Sequence, residues 1–504
     1  MRFCIYAVVA VLSSGLAQPC FAQRTQNIFK RGQSQNQSDL WLGKLQMPIL
    51  PIYQDERVLE CLHFFHDDRR GQNRIKTWFA RGEIFENYIR EILQQYGFPE
   101  DLFYVAMVES GFDLAAKSFA GAGGPWQFVR VTAEEYDLQR NRWIDERYDL
   151  KKATMAAGTY LVELKERFGT WPLAFAAFNM GAGALSRAIR KYNTNDYYLL
   201  SHIEAGLPFE TVHYVARIIA CCIAGYNRKV FGINNNLSEE LALTSILMPP
   251  RTSLAYIAKK TDVSLELLKQ LNPCLRKNRT PPESGGYNVL LPKSSEASAM
   301  DLAYTPPSSS EKNDAEHIKT SLRLNNAEHE GLTVSLPIVD HKQTHVVTIP
   351  EFRVADKERE EYYFLVPDTL RLNALCTHFG ISLDDVQRWN NIDPNALVLQ
   401  GMYLRLYLDK PDARLKPHLL HRQDVDALIL GSLAFFDHHE HLQDRVRLVY
   451  SVKDGDTLKS IARRFDLSVG SLTRINRFSR YRDLHPGEQI VVYTAKRRNK
   501  STPN

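Results

Sequence analysis

Apolar residues recur at helical spacing through the first part of the chain. After residue 232 they give way to short strand and helix patterns divided by Gly, Pro and Asn. Between Arg74 and Gln95, the residues Trp78, Phe79, Ile84, Tyr88, Ile89 and Leu93 fall on one helical face and predict an amphipathic helix. Gly97, Phe98 and Pro99 interrupt it, and Pro99 suits the first turn of the next helix. That helix opens with Glu100 and Asp101, which favour an N-terminus, and closes on Gly111, which favours a C-cap. No run of alternating strands occurs between residues 41 and 232, so this region is predicted to be all-helical.

Beyond it, Asn-rich residues 234 to 236 and a helical fragment lead to Met248-Pro249-Pro250. Three stretches then share one strand-helix-helix-strand pattern. In the last, over 447–494, Val449 to Val452 reads as a strand and Gly455-Asp456-Thr457-Leu458 turns into a helix. A second helix carries Leu472, Ile475 and Asn476, and Gln489 to Val492 closes the unit. The copy over 361–408 repeats it with Tyr362 to Val366, Leu375, Phe379, Trp389, Asn390 and Tyr403 to Leu406. The copy over 250–293 keeps Leu254, Ile257, Leu268, Leu271-Asn272-Pro273 and Val289 to Pro292, but its first strand is not evident. Residues 294–345 are dense in Ser, Glu, Lys, Asn and Pro and read as a linker, with Leu332 to Ile338 and Val346 to Phe352 as unassigned candidate strands.

Both ends of the chain read as non-domain sequence. Arg2 precedes an apolar stretch from Phe3 to Leu16, and small residues flank Phe21, so residues 1–22 are predicted to be a cleavable secretory signal. A membrane anchor needs about 20 continuous apolar residues, and Ser13, Ser14, Gly15, Gln18 and Pro19 break this run. Residues 23–40, rich in Gln, Ser and Asn, read as a flexible tether, with an ordered domain expected over 41–235. The basic tail at 495–504 is read as a frayed terminus or a weak contact for an anionic wall polymer. The mature protein is therefore expected to be exported to the periplasm or cell envelope, soluble or peripherally attached to a membrane.

A chain of 504 residues, 44% hydrophobic, can bury a sizeable core and several smaller ones, so several domains are expected. A net charge of +5 is too balanced to argue for nucleic acid as a partner. Once the signal is removed, Cys61, Cys221, Cys222, Cys274 and Cys376 remain. Their pairing is left open by sequence, and their spacing suits no metal site.

The chemistry centres on Glu109, in the last turn of the helix that ends at Gly111. The negative end of the helix and the apolar neighbours Val105, Ala106 and Val108 both disfavour its ionised form. A carboxyl group kept protonated near neutral pH can act as general acid on a glycosidic oxygen. Read alone, the segment is better served by an exposed Glu capping its own helix end through Ser110, and the later segments change that balance. Residues 121 to 128, Gly-Ala-Gly-Gly-Pro-Trp-Gln-Phe, form a loop that lets backbone approach a ligand and that ends in an aromatic ring and an amide. Later come Ala177-Phe178-Asn179-Met180-Gly181 and Leu207-Pro208-Phe209-Glu210-Thr211-Val212-His213-Tyr214.

In this order the four motifs resemble the lytic transglycosylase domain of the goose-lysozyme-like superfamily, in the membrane-bound lytic murein transglycosylase D family, and the βααβ units resemble LysM modules. The resemblance implies a multidomain chain: an all-α lysozyme-like catalytic domain followed by small βααβ LysM modules that bind N-acetylglucosamine-containing glycans. It implies peptidoglycan as substrate, no cofactor and Glu109 as catalytic acid and base. Ser110, Trp126, Gln127, Phe178, Asn179 and Tyr214 are implied as sugar-cleft residues. Two positions depart from the family pattern. Phe178 stands where Tyr is usual, which removes a hydroxyl, and Pro125 stands where an aliphatic residue is usual.

By this resemblance the bond between N-acetylmuramic acid and N-acetylglucosamine is opened by a 6-hydroxyl of the same sugar, giving a 1,6-anhydro product. A hydrolytic muramidase would need a second carboxylate, for which Asp113, Glu134, Glu135 and Glu210 are the candidates. A non-catalytic wall-binding protein is the third reading. Endo or exo preference, regulatory partners and oligomeric state are not encoded in any motif found.

Overall fold

The computed structural model describes residues 41–48, 56–203, 206–233, 242–282, 285–304, 345–349, 358–390, 392–409, 419–476 and 483–495. The signal at 1–22, the tether at 23–40, Leu332 to Ile338 and nearly all of the basic tail lie outside the described residues, as does most of the linker.

The N-terminal half is helical. Its helices are α1 (Glu56–Asp67), α2 (Arg69–Gln95), α3 (Phe103–Ser110), α4 (Arg130–Glu135), α5 (Leu150–Phe168), α6 (Trp171–Met180), α7 (Ala182–Tyr192), α8 (Tyr197–His202) and α9 (Phe209–Tyr226). The predicted helix 74–95 starts five residues earlier, because Asp68 caps it by accepting from the amides of Arg70 and Gly71. α9 is the pivot. From Thr211 to Ala224 twelve of its side chains are buried, since it packs at once on α1, α3 and α6.

Three small modules follow. The first has β1 (Leu243–Met248), α10 (Leu254–Thr261), α11 (Leu265–Leu271), β2 (Tyr287–Pro292) and the short α12 (Glu296–Met300). β1 pairs antiparallel with β2, Leu243 facing Pro292 and Met248 facing Tyr287. This is the strand that the sequence did not make evident. It lies ahead of the predicted boundary at residue 250, in what read as a helical fragment. Its burial does not alternate cleanly, because one edge pairs with β2 while its side chains also meet α2, so the period-2 signal is blurred.

The second module, preceded by β3 (His345–Ile349), has β4 (Glu360–Leu365), β5 (Leu370–Arg371), α13 (Leu372–Phe379), α14 (Leu383–Asn390), β6 (Leu397–Val398) and β7 (Tyr403–Leu408). β8 (Leu419–His421) adds to β4 on the side opposite β7, and β9 (Val425–Ile429) pairs in parallel with β3. After α15 (Leu433–His441) comes the third module, with β10 (Arg445–Ser451), α16 (Leu458–Arg464), α17 (Val469–Asn476) and β11 (Gln489–Ala495).

One asparagine performs the same task in each copy. Asn272 donates to Leu268 and Leu290 carbonyls and accepts from Leu290 N–H, all at 2.8 Å. Asn390 does so with Val386 and Arg405, and Asn476 with Leu472 and Val491. A buried amide that satisfies both its donor and its acceptor ties the second helix to the closing strand at no unpaired cost.

The modules dock on the helical domain. Tyr287 donates to Asp149 Oδ2 at 3.0 Å, and Asp145 N–H to the Cys274 carbonyl at 3.0 Å. Asn193, left-handed at the end of α7, pairs with both the N–H and the C=O of Tyr403 at 2.8 Å, as a strand residue would. Cys61, Cys221, Cys222, Cys274 and Cys376 form no disulfide among the described residues, and all are buried except the half-buried Cys61. No helix among the described residues is long and apolar enough to cross a membrane.

Candidate active site

The position of Glu109 follows from where α3 stops. Gly111 takes φ +60, and its N–H bonds back to the Met107 carbonyl, which closes the helix at Ser110. A Cβ at residue 111 would lie 2.6 Å from the Trp78 ring, so only glycine fits both the backbone and the packing. Glu109 is thereby held in the last turn, half-buried, above Val105 and Ala106, which are fully buried.

Burial pushes the Glu109 carboxyl up to about 7. The Tyr214 hydroxyl, donating to Oε1 at 2.5 Å, pulls the other way, and the charge of nearby Glu210 adds a smaller upward push. The Tyr214 phenol is itself raised well above its usual range, by burial first and then by Glu109, so it remains a donor at physiological pH.

One turn before Tyr214 on α9, the buried Thr211 donates to Asn179 Oδ1 at 2.8 Å. With that oxygen occupied, the Asn179 NH2 is the group left to meet a substrate acceptor. α9 therefore holds the end of α3 through Tyr214 and the end of α6 through Thr211. Phe178, half-buried, joins an aromatic wall with Phe128, Tyr160 and Tyr136, its ring centroid 5.4 Å from Tyr160 and 6.3 Å from Phe128.

The glycine-rich loop is fixed from two sides. Ser110 Oγ donates to the Pro125 carbonyl at 2.9 Å and accepts from Phe112 N–H at 3.1 Å. Its hydroxyl thus fastens the loop to the end of α3. Gly124, at φ +81, sits where a Cβ would be 1.8 Å from the Arg147 carbonyl. Arg147, buried and paired with Asp145 at 2.9 Å, donates to the Gly121 and Phe128 carbonyls at 2.8 and 3.2 Å. Arg147 lies outside every motif, and Thr211 lies inside one without its partner being legible, because both roles arise from contacts across the fold.

Two of the expected sugar-cleft residues are engaged within the protein itself. Trp126 is 0% exposed and donates through Nε1 to Thr154 Oγ1 at 3.0 Å, so it is core rather than a stacking surface. Gln127, at φ +50 and half-buried, spends its NH2 on the Gly124 and Ala116 carbonyls at 2.8 and 3.3 Å, leaving only its oxygen for a ligand. The four candidate second carboxylates, Asp113, Glu134, Glu135 and Glu210, are all exposed. Asp113 accepts from Ala115 N–H, and Glu134 pairs with Arg130 at 2.7 Å.

Comparison with known proteins gives three family matches and similar whole chains. A Transglycosylase SLT domain matches residues 87–201, a LysM domain residues 450–492, and the LysM-like domain of lytic transglycosylase MltD residues 242–306. Membrane-bound lytic murein transglycosylase D of Escherichia coli strain K12 is 25% identical over 464 residues, covering 90% of this chain and 85% of that protein. Its counterpart in Escherichia coli O6:H1 shows the same identity and coverage.

Proposed function

We propose that this chain, a peptidoglycan lytic transglycosylase of the lytic murein transglycosylase D family, cleaves the β-1,4 bond between N-acetylmuramic acid and N-acetylglucosamine with Glu109 as its single acid and base. The observation that carries this reading is a carboxyl group pushed up to about 7 with a phenol on one oxygen, while each of the four other candidate carboxylates stands exposed.

In the first step protonated Glu109 gives its proton to the glycosidic oxygen, and the bond to the muramoyl C1 breaks. The carboxylate so formed is stabilised by Tyr214, whose hydrogen bond strengthens as charge appears on Oε1. In the second step Glu109 takes the proton from the muramoyl 6-hydroxyl as that oxygen closes on C1. The products are a 1,6-anhydromuramoyl end and a free 4-hydroxyl, with no water consumed. Between the steps, the substrate's own acetamido group shields the cationic carbon, in the place where a retaining hydrolase would use a second carboxylate. The Asn179 amide and the aromatic wall around Phe178 hold the sugar, which compensates in part for the hydroxyl that Phe178 lacks.

The modules grip the insoluble polymer. Tethering several weak glycan sites to one cleft raises the local concentration of substrate without any new contact at the scissile bond. We place the enzyme at the cell envelope, after export on residues 1–22. The test is the mass of the muropeptides released by purified protein: anhydro products are one water lighter than hydrolytic ones, and hydrolytic masses would overturn the proposal in favour of a muramidase.

A further inference from the structure

Residues 141–149 run between α4 and α5 of the helical domain, yet they are built into the first module. Ile144 is buried in that module's own core, with Met248, Leu254, Leu275 and Tyr287, and forms an antiparallel bridge with Leu275. The backbone is held on both sides of it. Asp145 N–H donates to the Cys274 carbonyl at 3.0 Å, and Arg276 N–H to the Trp143 carbonyl at 2.9 Å. From β2, the Tyr287 hydroxyl donates to Asp149 Oδ2 at 3.0 Å, with Glu146 Oε1 at 3.3 Å.

The same few residues fasten the glycine-rich loop. Arg147, gripped by both oxygens of Asp145, donates to the Gly121 and Phe128 carbonyls. Tyr148 packs against the module's core, and its hydroxyl comes so close to Gly123 that a Cβ there would lie 2.5 Å from it. The loop is tied in turn to the end of α3, where Ser110 Oγ donates to the Pro125 carbonyl. Contacts therefore run without a break from the module's core to the residue next to Glu109.

We propose that the first module positions the loop 121–128 for catalysis, with Ile144 and Tyr287 as positioning residues, a task separate from holding glycan. The proposal rests on the reading of Glu109 as the catalytic group.

Two physical reasons support it. Gly121, Gly123 and Gly124 give the loop wide backbone freedom and no side chains to pack, so its order has to be imposed by neighbours. The neighbour that imposes it is a buried charge cluster. Asp145, Glu146, Arg147 and Asp149 are all buried, and Cys274 and Tyr287 of the module form hydrogen bonds to this segment. Away from water such pairs are strong and geometrically fixed, whereas admitting solvent would screen them and free the loop.

The test uses full-length protein and three readouts: kcat for muropeptide release, sedimentation with intact peptidoglycan, and amide hydrogen exchange. In the wild type the amides of Gly121, Gly123, Gly124 and Gln127 are hydrogen-bonded within the loop region and should be protected. Ile144→Ala should speed their exchange, leave that of α2 and α9 unchanged, and leave sedimentation unchanged. Its kcat should fall roughly 10- to 100-fold, the cost of misplacing a catalytic constellation by about 1 Å. Ile144→Val should restore most of the activity. Tyr287→Phe keeps the ring in the core and removes only the hydroxyl, and should show the same pattern to a smaller degree. Should Ile144→Ala fail to fold, Tyr287→Phe decides alone. Wild-type kcat and loop exchange overturn the proposal, as does a loss of kcat with exchange raised across the whole helical domain, the mark of a general support. Release is counted whatever the product mass, so a hydrolytic outcome leaves this result intact, and a failure of the Glu109 reading would show as Glu109→Gln retaining full release.

Discussion

The phenol of Tyr214 donates a 2.5 Å hydrogen bond to Glu109 Oε1 across 105 residues of chain. Burial favours the neutral carboxyl and this bond favours the charged one, so the pair balances Glu109 between the acid it must be first and the base it must be second. Tyr214→Phe is expected to raise the Glu109 pKa further and shift the alkaline limb of the kcat profile to higher pH. A hydrogen bond to a charged group contributes about 1.5–3 kcal/mol, so kcat should fall roughly 10- to 100-fold. A profile that superimposes on the wild type would remove Tyr214 from the mechanism.

Glu109→Gln should lower cleavage by roughly 10² to 10⁴, the usual worth of general acid–base catalysis, while glycan binding persists. It should also change stability in a direction set by the pKa. The carboxyl rises from 4.5 to about 7 on folding, so between these values the unfolded chain binds fewer protons and the native state loses stability as pH rises. The full shift corresponds to at most about 3 kcal/mol. The Gln variant escapes this, and its melting temperature should exceed that of the wild type at pH 8 but not at pH 4. Equal melting curves at both values would mean that the side chain is hydrated.

Glu210 separates a one-carboxylate from a two-carboxylate mechanism. It is exposed, in the first turn of α9, and its charge only nudges Glu109 upward. Glu210→Gln is therefore expected to leave kcat within about threefold, with at most a small downward shift of the alkaline limb. A loss comparable to that of Glu109→Gln, with hydrolytic products in the wild type, would establish Glu210 as the second carboxylate.

Ser110→Ala removes the link between the end of α3 and the loop at Pro125, and leaves the Phe112 N–H without its acceptor. The expected cost is about 1–3 kcal/mol of stability, with a rise in KM as the loop loosens, measurable by denaturation and by turnover at varied substrate. Loss of kcat alone, with stability unchanged, would instead place the hydroxyl on the substrate.

Trp126 distinguishes core from cleft. Trp126→Phe loses the bond to Thr154 and leaves a void, so about 2–4 kcal/mol of destabilisation is expected without a selective effect on KM. A stable variant with weakened substrate binding would restore the ring to the sugar site.

Much of the molecule was legible because its signals are local. Gly111 ends α3, and so places Glu109, by a backbone conformation that glycine favours in any context. The Asn272, Asn390 and Asn476 repeats recur because each unit needs the same amide between its second helix and closing strand. Strand β1 was not legible, since its packing against α2 masks the alternation on which a strand is recognised.

The sequence by itself determined a helical domain with a carboxyl group in a dry last turn, followed by small repeated units. Propensity, capping and periodicity act within a few residues and can be read along the chain. Tertiary structure alone decided that Tyr214 meets Glu109, that Thr211 turns the Asn179 amide, that Trp126 faces the core and that Arg147 braces the loop. Those outcomes depend on how the other helices of the domain pack around α9, and side-chain direction after packing leaves no trace in the order of the residues.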